Sequence, residues 1–380
     1  GYGDMSAVKP ESPDLTHLKY ETITSNNIGV DVGLFSDRIT FAVELYTKVT
    51  DDMLQKKIKV PSSTGLSTVA WYNSGKMENR GWEFNIDVAA VRTKDWGFNL
   101  GFNISQNKNK VLELPENQSD ETYTFGNKKY AYRVLMGDPL GSFYGYRYKG
   151  VYQNVEETYA VDKTGQQIMD INGAPVVVKN GDQKVYPGDA KYEDVNGDGV
   201  IDENDIVYLG NSNPTLTGGL NFTLRYKKLS LVAALHGRAG QKVINESRIN
   251  MENMYGKNNQ SVAVLRRWRS EGDNTDIPRA LYDKGYNYLG SDRFVEDASF
   301  LRLKTITLKY QFPENWMKPL GINKLEIYAT GYDLFVWTKY TGQDPEINLK
   351  NPDGSAAQVA IDSNNTPKAM RFAFGLNLRF

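Results

Sequence analysis

The sequence predicts an all-β fold, a transmembrane antiparallel β-barrel, on three observations. Apolar and polar residues alternate with period two in segment after segment. The connections between those segments alternate between short and long. Aromatic residues make up 12% of a chain whose mean hydropathy is only −0.54. No run of about 18 apolar residues occurs, so no membrane helix is expected. A barrel suits such a composition because its strands turn apolar side chains to lipid and polar ones to the lumen.

The alternation begins at 27–34, where Ile28, Val30, Val32 and Leu34 oppose Asn27, Gly29, Asp31 and Gly33. It continues at 39–45, with Ile39, Phe41, Val43 and Leu45 on one face, and at 82–88, with Trp82, Phe84, Ile86 and Val88. Segment 96–105 places Trp96, Phe98, Leu100, Phe102 and Ile104 opposite Asn99, Gly101, Asn103 and Ser105. Further strands fit near 130–136 and 142–153. Residues 216–226 and 229–235 follow as a pair separated by Lys227-Lys228. Strands at 300–312 and 325–331 precede the clearest one, 371–380, where Phe372, Phe374, Leu376, Leu378 and Phe380 share a face. Ten residues are about what a tilted spanning strand requires.

This reading gives about eleven strands. Short turns fall at Ser36-Asp37, 92–95, Asp138-Pro139, Lys227-Lys228 and 313–323. Long loops fall at 51–77, 109–128, 154–213, 240–297 and 334–367. Outer-membrane barrels sort their connections this way, with short turns periplasmic and long loops extracellular. The last strand then runs downward and leaves Phe380 in the periplasm. Single-chain bacterial barrels have even strand counts, and an open sheet would leave unsatisfied edge amides in lipid. The expectation is therefore about half of a barrel of about 22 strands, with a plug and the first strands outside this chain. Residue 1 opens no signal peptide, which fits a mature, processed or partial chain.

Composition narrows the function. With 45 basic and 46 acidic residues the net charge is −1, so no global field recruits nucleic acid. Cysteine is absent, which removes disulfides, thiolate metal sites and thiol nucleophiles. His17 and His236, the two histidines, have no partner motif for a triad or a zinc site. Arg266-Arg267-Trp268-Arg269 reads as a solvated loop helix, since Glu271 and Asp273 follow it. Carboxylate pairs such as Asp51-Asp52 and Asp202/Asp205 read as loop acids. No enzyme chemistry is expected.

One motif has ligand spacing. Asp194, Asn196, Asp198, the Val200 carbonyl, Asp202 and Asp205 occupy positions 1, 3, 5, 7, 9 and 12 of a calcium loop, with Gly199 at the sharp turn. Position 12 is Asp, whose reach is shorter than that of Glu. The competing reading is a turn whose side chains satisfy their own backbone. Aromatic clusters at Tyr144, Tyr146, Tyr148 and Tyr152, and at Trp337 and Tyr340, read mainly as interfacial girdle. Tyr282, Tyr286 and Tyr288 lie outside any strand pattern and are candidates for contact with a substrate or a lid.

Several stretches, taken in order, resemble the C-terminal region of SusC/RagA-type TonB-dependent transporters. They are LTHLKYETITSNNIGVD (15–31), NRGWEF (79–84), PLGSFYGYRYKGVY (139–152) and EDVNGDGVIDENDIVYLGNSNP (193–214). Gly218–Leu220, VEDASFLRLKTITLKYQF (295–312), IYATGYDLFVWTKY (327–340) and the terminal strand complete the series. The resemblance implies a plugged barrel in the outer membrane, importing glycans or peptides by coupling to TonB through the N-terminal part. It also implies a SusD-like surface lipoprotein closing over the barrel, and barrel-assembly machinery that reads the terminal strand and Phe380. The alternative is a secreted calcium-binding β-sandwich, an adhesin or glycan-binding module, whose apolar faces would meet another sheet instead of lipid.

Overall fold

In the structure the period-two alternation becomes strand register. The structure, a computed structural model, describes residues 18–59, 68–73, 75–114, 130–132, 134–350 and 359–380. Its main element is one antiparallel sheet of nine strands joined in chain order. They are β1 (Thr22–Leu34), β2 (Ile39–Asp51), β3 (Lys76–Arg92), β4 (Trp96–Glu113) and β5 (Leu216–Tyr226). After them come β6 (Leu229–Ala239), β7 (Phe300–Gln311), β8 (Lys324–Thr338) and β9 (Arg371–Arg379). The sheet is open, with β1 and β9 at its edges.

Register carries the two-faced pattern across the whole sheet. One row runs Leu34, Ile39, Val88, Leu100, Phe222, Ala233, Ile306, Gly331, Phe372. The adjacent row, on the opposite face, runs Gly33, Thr40, Asp87, Gly101, Asn221, Ala234, Thr305, Tyr332, Arg371. A one-residue slip would exchange the faces, so this register is strongly specified. The apolar face has no second sheet against it among the described residues. Ile28 and Phe374 are 70% and 81% exposed. That arrangement fits a lipid-facing wall and not the sandwich alternative.

Tight turns close one end of the wall. In the β1–β2 turn, Phe35, Ser36 and Asp37 all adopt positive φ. Between β3 and β4, Thr93 holds the hairpin: its Oγ1 accepts from the Trp96 amide at 2.9 Å. The β5–β6 turn is Lys227-Lys228, and the β7–β8 turn carries a one-turn helix, Glu314–Met317. The other end carries the long connections.

Two expected strands are not in the wall. Of 130–136, the described residues form only an isolated bridge, Ala131 with Tyr144. Segment 142–153 divides into Ser142–Gly145, paired with Val207–Asn211, and Tyr148–Val151, paired with Ala190–Tyr192. Asp138-Pro139 is therefore no barrel turn, and β4 connects to β5 through a single segment, 114–215. Among the described residues the wall has nine strands, not about eleven. The reason is burial: Phe143, Tyr146 and Tyr152 are almost wholly enclosed and form the core of a lobe at the long-loop end. Alternation cannot distinguish a side chain that meets lipid from one that meets protein.

The lobe has its own cores. One gathers Tyr146, Tyr152, Ala160, Val178, Tyr192, Ile201 and Leu289. A second joins Tyr130 and Phe143 to Ile244, Val359 and Ile361, so three separate loops share it. Each such enclosed side chain contributes roughly 1.5–3 kcal/mol. The loops thus form a folded body.

Candidate functional site

The polar face of the wall and the lobe line a half-open cavity of about 870 Å³. The wall supplies Asn79 of β3, Ser105, Asn107 and Asn109 of β4, and Thr217 of β5, all placed by the same register. The lobe supplies Leu140, Tyr208, Asn211 and Asn213. The amides are linked side by side. Asn107 and Asn109 donate to Asn79 Oδ1 at 3.2 and 3.0 Å, and the Tyr46 hydroxyl donates to Asn107 Oδ1 at 3.2 Å. Asn109 Oδ1 accepts from the Leu140 amide at 2.9 Å, while Asn211 and Asn213 donate to the Leu140 carbonyl. The Leu140–Asn109 bond joins the lobe to the wall. The lining is uncharged apart from Lys108 and Lys242, and it offers donors and acceptors together, which suits a hydroxyl- or amide-rich ligand. The strand reading did not single these residues out. Their signal was the run of Asn and Ser at 103–109 and 211–213, polar beyond the length a spanning strand needs.

A second junction lies on the polar face of β7 and β8, where both strands shift register around Lys304 and Asp333. Arg302, almost wholly buried, donates to Asp344 Oδ1 at 2.5 Å and lies 3.4 Å from Glu346. Lys304 and Lys368 both reach Glu346, at 3.0 and 2.5 Å. Asp333, in a left-handed conformation (φ 50°), stands 3.8 Å from Lys304. Three cations and three carboxylates therefore join the 339–370 loop to the wall. Burial alone would raise the Glu346 carboxyl, but hydrogen bonds from Lys368 and Lys304, with their charges, hold it down at about 2.

The 194–205 loop is held by its own backbone. Asp194 accepts from the amides of Gly197, Asp198 and Gly199, and Asp205 accepts from those of Val195 and Asp202. Asn196 donates to Asp198, and Asp202 caps the short helix Glu203–Asp205. The Val200 carbonyl lies in a two-residue strand that pairs with Lys179–Asn180. Burial pushes the fully enclosed Asp205 carboxyl up, against the amides of Asp202 and Val195 that pull it down. Among the described residues no three acidic or histidine side chains gather as a metal site.

The aromatic groups separate. Tyr144, Tyr146 and Tyr152 are buried in the lobe and are not girdle. Trp337 is exposed and stacked beside Phe335 on the apolar face, whereas Tyr340 is buried with its hydroxyl on Asp362. Of the loop tyrosines, Tyr288 is buried against Tyr255, and Tyr286 lines a cleft with Tyr186, Arg279 and Asn287. Tyr282 is 59% exposed. A ligand at this loop would meet Tyr282 and Tyr286. Arg279 is fixed there by two bonds to Asp189. Trp268, from the basic run, packs on Gly188, where a Cβ would lie 2.2 Å from its ring. His236 sits on β6 beside Phe300, and His17 lies outside the described residues.

A sheet apolar on one face and polar on the other, with a folded lobe against the polar face, has the make-up of a membrane β-barrel wall. Comparison with known proteins gives the family. The sequence profile of the TonB dependent receptor-like, beta-barrel family matches residues 2–196, and the chain belongs to that family. It is 30% identical to TonB-dependent receptor P3 and 32% to receptor P26 of Formosa agariphila, over 96% and 98% of this chain. It is 29% identical to TonB-dependent receptor SusC of Bacteroides thetaiotaomicron over 96% of this chain. The chain spans about a third of those relatives: 34%, 36% and 32% of their lengths. The fold matches the RagAB peptide transporter, with a TM-score of 0.71, 24% identity, and coverage of 95% of this chain and 36% of the other. The SusC/RagA resemblance of the sequence is thus supported, and TonB-dependent receptors are outer-membrane β-barrels.

Proposed function

We propose that this chain forms the C-terminal part of the wall and lobe of a SusC-like importer of glycans or peptides in the outer membrane. Its long loops face outward, Phe380 faces the periplasm, a SusD-like lipoprotein seats on the lobe, and TonB acts through the rest of the receptor. The observation that carries the reading is the amide-lined cavity of about 870 Å³ between the polar face and the lobe. It is of the size of a small-ligand site, and its paired donors and acceptors fit sugar hydroxyls or peptide amides. The test is growth of the host on single glycans or peptides with the gene deleted. Restoration by the wild-type gene, but not by Asn107→Trp with normal surface abundance, is the expected result. Unchanged growth on every source would overturn the reading.

A further inference from the structure

Near the short turns one row of the apolar face runs Trp96, Tyr226, Leu229, Tyr310, Ile327, Leu376 across β4 to β9. The Trp96 and Tyr226 rings are 4.4 Å apart between centroids, tilted by 39°, and both are exposed. Directly beyond them two turns abut, since the Lys227 amide donates to the Asp95 carbonyl at 2.6 Å. These turns expose Lys94, Lys227 and Lys228, with Asp95 as the acid between them. Lys227 Nζ lies 5.3 Å over the Tyr226 ring, which places its charge on the apolar side of the wall. The Lys228 carbonyl accepts from the Gln311 amide, so the same rim continues to β7. Lys227 has φ 52°, a conformation that Gly or Asn adopts at lower cost, so a lysine there is locally unfavourable.

Resting on the membrane reading above, we propose that Lys94, Lys227 and Lys228, with the Trp96–Tyr226 pair, form a binding site for the headgroup of an anionic phospholipid. The lipid belongs to the leaflet that meets the short-turn rim. Its acyl chains continue onto the apolar row, the two rings occupy the headgroup level, and the ammonium groups take the phosphate. Aromatic rings favour that depth, and lysines just outside a hydrocarbon boundary attract anionic headgroups.

The complete receptor containing this chain would be placed in nanodiscs of equimolar phosphatidylglycerol and phosphatidylcholine, and the lipid retained after mild extraction would be quantified. Wild type should retain phosphatidylglycerol preferentially. Lys227→Asn with Lys228→Gln should lower that preference about fivefold or more, while Lys228→Arg keeps it. Lys227→Asn alone should leave the melting temperature unchanged or raised, because it relieves the left-handed lysine. Equal lipid ratios in wild type and the double variant would overturn the site. Insertion is read in the same samples by heat-modifiable migration. Receptor that never inserts would refute the membrane reading itself, whereas inserted receptor without lipid preference would refute only this site.

Discussion

Arg302 and Asp344 meet at 2.5 Å where the wall joins the last long loop, with only 3% and 8% of their side chains exposed. Removing one member of such a pair leaves a buried charge without its partner, at a cost of about 3–5 kcal/mol. Arg302→Met should therefore lower the denaturant midpoint of the assembled receptor strongly. Adding Asp344→Leu should recover part of the loss. Equal midpoints for wild type and Arg302→Met would show that the junction is not a source of stability.

Glu346 makes the same junction depend on pH. Its carboxyl titrates near 4.5 when free and about 2 in the fold. Its contribution is complete above pH 4.5 and is lost as pH falls toward 2. The melting temperature should hold between pH 7 and 5 and then fall more in wild type than in Glu346→Gln. Parallel curves for the two proteins would remove Glu346 from the cause.

The 194–205 loop supports a prediction in two parts. Asp194 accepts three amides, so Asp194→Ala should lower the melting temperature of the lobe even without calcium. The ligand spacing further predicts that calcium raises the wild-type melting temperature and leaves Asp194→Ala with Asp198→Ala unchanged. A wild type indifferent to calcium would assign the motif to turn formation alone.

Phe380 is 79% exposed at the end of β9, an edge strand with five apolar residues on one face. Its removal should cost only about 1–2 kcal/mol of stability. Its edge amides and final ring are available to assembly machinery before a barrel closes. Deleting it should reduce surface abundance far more than it lowers the melting temperature of inserted receptor. Normal abundance with a large fall in melting temperature would mean the residue serves packing.

The wall was legible because alternation and register are one constraint: Leu34, Val88 and Phe222 can share a row only if every strand keeps parity. The lobe was not. Tyr144, Tyr146 and Tyr148 alternate as cleanly as Phe372, Phe374 and Leu376, yet two of those three rings are enclosed by protein. The cavity was hidden for a related reason. Asn79, Asn107 and Asn211 come from segments whose pairing only the folded chain determines, and no spacing in one segment announces the others. Arg302 looked like one of many strand cations until the register shift at Lys304 and the return of 344–346 brought its partners to it.

The eighteen residues of β4 rise about 3.3 Å each, close to 60 Å in all, or about 42 Å in height at a tilt of about 45°. The apolar band of an outer-membrane barrel is only about 25 Å tall. Strands β3 and β4 are therefore about 17 Å taller than that band. On the importer reading proposed above, cargo passing β3 and β4 would meet protein before it drew level with the bilayer.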